Sequence, residues 1–361
     1  MIYWVGEAIS MTTNVQSNPR GETFFLNLRF LLIICVFVGN AIEPLIKDMA
    51  VMHTLYVWIF TFHMPLFVFV TGYFAKTNLL GQPGRKLMLQ IGLQYVIFQS
   101  LYSVLDVTIF QVENIRHSFF APYLLLWFLA SHLCWRLLLM AMNKWTPLQQ
   151  LALSLALGVL VGYLQVDGTW LSLSRTFVYL PFFIAGYHFS FAYLIKIFTP
   201  KRRLFTLALA AALLGTIALW GSRVDVGWLY GSMTYSQLGH YEWHAGLYRL
   251  ALYALQLLAG IAFLSFVPLR ESKLTDLGRR TLYVFLLHGL IIRIAAASPL
   301  YDYITNAAAS IMLIIGAVLL TLLLSHSFVR KWTSPVIEPS VQWLLNLERR
   351  AFRPFSTASK Q

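Results

Sequence analysis

Long apolar runs alternate with short polar breaks along most of the chain. The runs lie near 25–45, 53–75, 87–110, 119–141, 148–165, 176–198, 204–221, 246–267, 281–297 and 307–329. One helical crossing of a bilayer takes roughly 20 apolar residues. The pattern therefore predicts an all-α polytopic membrane protein with about ten transmembrane helices. Most connections are short. The exception is the stretch from about 222 to 245, which contains SRVDVGWLYGSMTYSQLGHYEWH, where aromatic and polar residues interleave. Such a loop suits either the membrane interface or stacking on sugar rings. The two halves show no visible internal repeat of the kind many transporters carry.

Composition agrees with the pattern. Of 361 residues, 58% are apolar and only 11% are charged, under half the charged share of a soluble domain. The mean hydropathy is +0.67. These values exclude a soluble globular, disordered or disulfide-rich secreted protein. Cys35 and Cys134 both lie in apolar runs and read as membrane-buried thiols. The first ten residues, MIYWVGEAIS, lack the basic start and long apolar core of a signal peptide. Translation is expected to begin at Met1 or at Met11, which opens a more ordinary polar leader.

The net charge of +13 acquires meaning once it is placed on the spans. One set of loops holds Lys76, Arg85, Lys86, Lys144, Lys201, Arg202, Arg203, Arg270, Lys273, Arg279 and Arg280, and the C-terminal tail adds six more cations. The opposite loops hold only Lys47, Arg116, Arg175 and Arg223. Cytoplasmic loops collect Lys and Arg, so both termini are predicted to be cytoplasmic. The excess charge reads as a topology signal rather than a nucleic-acid footprint. The expected organisation is a cytoplasmic leader (1–23), a transmembrane domain (24–330) and a cytoplasmic tail (331–361). In the tail, WLLNLERRAFRPF reads as an interfacial amphipathic helix.

Ionisable groups inside the bilayer are costly and mark functional positions. Arg29 and Asn40 are eleven residues apart. That spacing returns to nearly the same face of a helix after a rise of about 16 Å. Glu43 lies one turn beyond Asn40. His63 falls near the middle of the second run. Pro65 beside it leaves the Thr61 carbonyl without its helical donor, and a broken turn at membrane depth suggests a polar cavity. Counting also puts His132, His188 and His288 near the middle of their spans, with Arg136 one turn below His132. His53 and His326 fall near span ends. No HExxH, Cys/His cluster or Gly-rich phosphate loop is present, so neither a metal site nor a nucleotide-hydrolysing site is supported.

Five segments, in order, resemble the integral-membrane acyltransferase-3 family, including its fucose 4-O-acetylase group. They are LRFLLIICVFVGN from Leu28, FHMPLFVFVTGYFAK from Phe62, YLLLWFLASHL from Tyr123, FVYLPFFIAGYHF from Phe177 and GRRTLYVFLLHGLI from Gly278. The second and fifth are the most specific, and the similarity covers residues 24–330. The resemblance implies transfer of an acyl group, acetyl above all, from cytoplasmic acyl-CoA as co-substrate. The acceptor would be a hydroxyl of a surface or extracellular carbohydrate, and the location the plasma membrane. The family usually shows Arg or Lys, ten residues, then His in the first helix. Here Arg29 is followed by Asn40, and an amide has no titrating lone pair to act as a general base.

The sequence leaves several routes open. His63, or Glu43 acting with Asn40, would deprotonate the acceptor hydroxyl. Asn40 would orient the acyl carbonyl or the sugar. His288 would donate to the tetrahedral oxyanion. An acyl-His intermediate at His63 is a further route. Arg29, Arg85, Lys86, Arg279 and Arg280 are the expected partners of the CoA phosphates. The rival readings are a transporter or flippase of a lipid-linked sugar, and a catalytically degenerate acyltransferase.

Overall fold

The computed structural model describes residues 19–111, 118–164, 170–197, 199–221 and 225–351. Arg116, Arg223, the proposed starts at Met1 and Met11, and the last ten tail residues lie outside these. Helices dominate, and no strand occurs among the described residues. In chain order they are α1 (Pro19–Ile42), α2 (Ala50–Ala75), α3 (Gly81–Thr108), α4 (Trp127–Ala141), α5 (Pro147–Leu160), α6 (Leu173–His188), α7 (Phe191–Ile197) and α8 (Pro200–Trp220). Then follow α9 (Gly227–Tyr230), α10 (Ala245–Leu264), α11 (Lys273–Gly278), α12 (Thr281–Ala297), α13 (Ala307–Leu324), α14 (Ser327–Ile337) and α15 (Gln342–Ala351).

Every predicted span coincides with a helix. By length and apolarity, seven helices suffice to cross a membrane, and the helices at Pro147–Tyr163 and Thr281–Ala297 are apolar but shorter. The protein is an all-α polytopic membrane protein. The largest departure from the expected bounds is at 176–198. There α6 stops at His188, and the chain turns extended at Phe189, with φ −66° and ψ 130°. The freed Phe189 carbonyl accepts from the Lys76 ammonium. His188 is therefore at a helix end rather than mid-span, where its Nε2 meets Gln150 Oε1 at 2.7 Å.

The centre of the bundle is α1, α2, α6 and α12, whose aromatic and aliphatic side chains form one continuous core. α8 and α13 pack at its edge and turn Leu204, Phe205, Met312 and Leu319 outward, as lipid-facing helices do. α2 and α6 pack with almost no gap. A methyl group at Gly72 would collide with the Phe183 carbonyl, and one at Gly186 with the Phe69 carbonyl. Small residues let membrane helices approach in this way and gain dispersion contacts. α2 runs unbroken through Pro65, contrary to the expected break. The tight α6 contact supports the strand of helix around it, and membrane helices tolerate proline where neighbours surround the freed carbonyl.

Hydrogen bonds gather alternate connections at one end, here called the lower end. Asn27 Nδ2 donates to the carbonyls of Pro268 and Arg270 at 2.9 and 3.1 Å. Arg280 Nε donates to Ser325 O at 2.6 Å, and Gln94 Nε2 donates to Ile337 O at 2.7 Å. The upper end is tied by Tyr301, whose hydroxyl donates to Ala41 O at 2.9 Å, and by the 2.9 Å contact of the Tyr56 and Tyr230 hydroxyls.

Candidate functional site

Two cavities lie one above the other inside the bundle. The upper is about 360 Å³ and the lower about 250 Å³. Their linings share three residues, Phe67 of α2, Phe128 of α4 and Phe285 of α12. The Phe128 ring is 5.5 Å from Phe67, edge-on at 89°, and 5.5 Å from Phe285 at 59°. Edge-to-face packing of this kind is attractive beyond simple burial. The three rings form a partition between the chambers.

The upper chamber brings together Asn40 and His288, 248 residues apart in sequence. His288 sits on α12 and its Nδ1 lies 3.0 Å from Val284 O and 2.8 Å from Phe285 O. Carbonyl oxygens only accept, so Nδ1 carries the proton. In the neutral ring Nε2 is then the free acceptor. Asn40 Nδ2 donates to Val36 O at 2.9 Å, which fixes the amide orientation, and its other hydrogen meets His288 Nε2 at 3.3 Å. That distance is at the long end for a hydrogen bond.

Glu43 opens the short 3₁₀ turn Glu43–Leu45 after α1 and lines the same chamber. It interacts with the Tyr56 and Tyr230 hydroxyls and with the Arg175 cation. Arg175 stands over the Trp127 ring at 4.9 Å, at the start of α6. On the far wall Arg293 donates from Nε and Nη2 to Asp106 Oδ1 at 3.1 and 2.8 Å. The side chain of Asp106 is 2% exposed, and a buried acid of this kind needs its cation. Trp127, Tyr179 and Tyr230 give the chamber apolar faces with polar rims.

The 222–245 segment contributes directly to this chamber. α9 brings Leu229 and Tyr230 into its wall. Trp228 stacks on Tyr235 at 5.5 Å and covers Arg249, whose Nη1 donates to Trp228 O at 3.0 Å. Only Tyr241 and Trp243, 79% and 82% exposed, are placed as an interfacial or open stacking loop requires.

The lower chamber is lined by Arg29, Arg136 and Arg279 together with His132, Asn78 and Gln90. Arg29 Nη2 donates to Thr281 Oγ1 at 2.9 Å, and its guanidinium lies 5.5 Å over Phe74. Arg136 donates from Nη1 to Asn78 Oδ1 at 3.0 Å and from Nη2 to Asn78 O. Gln90 is buried, and its Oε1 has no hydrogen-bond partner among the described residues. An orphan buried acceptor costs free energy unless a ligand or water supplies a donor. Glu338, just after α14, also lines this chamber and meets Arg330 at 3.3 Å.

The structure thus brings Asn40, Glu43 and His288 together above the partition, and Arg29 and Arg279 together below it. The other expected residues are elsewhere. His63 lines neither chamber. Its Nδ1 donates to Ile59 O at 2.8 Å, and its ring packs edge-on against Phe60 at 4.5 Å. Arg280 is engaged with Asp276 at 2.6 Å. Arg85 and Lys86 are exposed in the first turns of α3, outside both linings. Sequence reasoning missed Arg293, Asp106, Tyr56 and Gln90, and it counted Arg175 as a loop charge. A charge inside an apolar run is a functional signal, and that rule applied to Asp106 and Arg293 would have found the pair.

The described residues thus form a membrane bundle with a cationic chamber at one end and a histidine–amide pair in the chamber at the other. Residues 24–330 match the acyltransferase domain of the acyltransferase-3 family, and the chain belongs to that family. It is a membrane acyltransferase by family. No curated protein and no solved structure gave a significant match.

Proposed function

We propose that this protein is an O-acetyltransferase of the plasma membrane. It takes an acetyl group from cytoplasmic acetyl-CoA and delivers it to a hydroxyl of a cell-surface or extracellular carbohydrate. The observation that carries this reading is the pair of chambers meeting at one aromatic wall, cations below and a histidine with a free Nε2 above. The Lys/Arg-rich loops then face the cytoplasm, as do both termini. Arg29, Arg136 and Arg279 suit the phosphates of an acyl-CoA. The orphan Gln90 Oε1 suits an amide N–H of its pantetheine arm.

In the upper chamber the carbohydrate stacks on the aromatic faces, and its hydroxyl displaces the Asn40 amide from His288 Nε2. As the hydroxyl oxygen attacks the thioester carbonyl, Nε2 takes the hydroxyl proton. Asn40 Nδ2, released from the ring, donates to the oxyanion that forms. The carbon–sulfur bond then breaks, and the imidazolium gives its Nε2 proton to the leaving sulfur, which restores the neutral ring. The products are the O-acetyl ester and free CoA thiol. His288 thus serves as the base, a role that Asn40 is chemically unable to fill. The partition also weighs against a sugar flippase, because a whole sugar has to pass the rings whereas an acetyl group has only to reach between them.

The test is transfer of label from [¹⁴C]acetyl-CoA to polysaccharide in membranes containing the protein. Label appearing in alkali-labile esters is the expected result. Carbohydrate translocation that proceeds without acyl-CoA, and with no ester formed, would overturn the reading.

A further inference from the structure

We propose that the partition of Phe67, Phe128 and Phe285 measures the acyl chain, admitting a two-carbon group and rejecting longer ones. The inference rests on the acyl-transfer reading above and names the residues that set its donor specificity.

The three rings come from three different helices and line both chambers. Each is nearly buried, at 8%, 7% and 9% exposure for Phe67, Phe128 and Phe285, so little free space remains beside them. Phe128 is the central ring, in contact with both others. Trp127 at 5.9 Å and Trp135 at 5.7 Å brace it, and Trp135 is itself pinned by donating Nε1 to Thr176 O at 2.7 Å. The ring therefore has nowhere to retreat. Phe285 is tied to the reacting group, because its carbonyl accepts from His288 Nδ1 at 2.8 Å.

A donor held by Arg29 and Arg279 below has to present its carbonyl carbon to the pair above. The acyl group crosses the plane of the rings to do so. A chain of more than two carbons either inserts methylenes among close-packed rings or extends into the upper chamber and takes the acceptor's room. Packed apolar sites resist inserted methylenes. One methylene in such a site is worth about 10- to 200-fold in discrimination. Removing the Phe128 ring joins the two chambers and relaxes that limit.

The experiment measures kcat/KM for acetyl-, propionyl-, butyryl- and hexanoyl-CoA at fixed acceptor. It uses the full chain and the variants Phe128→Ala, Phe67→Ala and Phe128→Leu, each checked for a monodisperse profile in detergent. The expected wild-type preference for acetyl over butyryl is about 100-fold or more. In Phe128→Ala the butyryl-to-acetyl ratio is expected to rise at least about 10-fold, with a smaller rise in Phe128→Leu. If Phe128→Ala fails to fold, Phe67→Ala and Phe128→Leu carry the comparison. A wild type that uses butyryl-CoA as well as acetyl-CoA overturns the inference, as do folded variants with an unchanged ratio, and both leave acyl transfer standing. Absence of turnover with every CoA thioester overturns the acyl-transfer reading and the inference with it.

Discussion

The two chambers differ in how their charges are balanced. Above the partition, the cations have acids close by. Arg293 is paired with Asp106, and Arg175, which donates to Tyr230 O at 3.4 Å, shares its chamber with the Glu43 carboxylate. Below it, Arg29 and Arg136 are held by neutral partners, the Thr281 hydroxyl and the Asn78 amide. A guanidinium satisfied only by neutral groups keeps most of its attraction for an anion, whereas a paired one has spent it. Under the proposed function, this contrast suits the lower chamber to an anionic donor and the upper one to a neutral polar acceptor.

Four substitutions break or sharpen this contrast. The largest effect is expected for His288→Ala. Loss of a general base costs about 10³-fold in kcat, while binding of acetyl-CoA to the membranes stays unchanged. A loss of donor binding in this variant would erase the division between chambers. Next comes Asp106→Ala, which leaves Arg293 without its acid. Breaking a buried pair this way costs about 3 kcal/mol, read as a lower detergent unfolding temperature. Arg29→Ala is expected to raise the KM for acetyl-CoA about 10- to 100-fold with little change in kcat. The reverse split would place Arg29 in the chemistry rather than in binding. The smallest effect is expected for His63→Ala, with kcat within about threefold of wild type, because His63 bonds only its own helix and lines neither chamber. A loss near that of His288→Ala would return His63 to the mechanism and with it the acyl-His route.

The helical, membrane-spanning character of the apolar runs was legible because a lipid-facing or core helix has to be apolar along its length, and polar breaks then mark its ends. Arg29 and Asn40 were legible as one stripe, since helix geometry alone relates positions within a span. The partner of Asn40 was not. His288 is remote in sequence, and the periodicity of one helix says nothing about which neighbour it faces. The partition was invisible for another reason. Phe67, Phe128 and Phe285 sit in apolar runs among 27 phenylalanines, and only packing separates the three that face two cavities. The weight given to His63 came from a broken turn expected at Pro65, whereas α2 is continuous there and packs closely at Gly72 and Gly186.

The way His288 is held limits how its ring can carry a proton. A ring that relays protons releases one from one nitrogen while accepting another at the other. Here Nδ1 is committed to two backbone carbonyls, so a proton taken at Nε2 leaves from Nε2. Under the proposed transfer, the proton taken from the acceptor hydroxyl and the one given to the departing sulfur would pass through this single nitrogen, which must face both in turn.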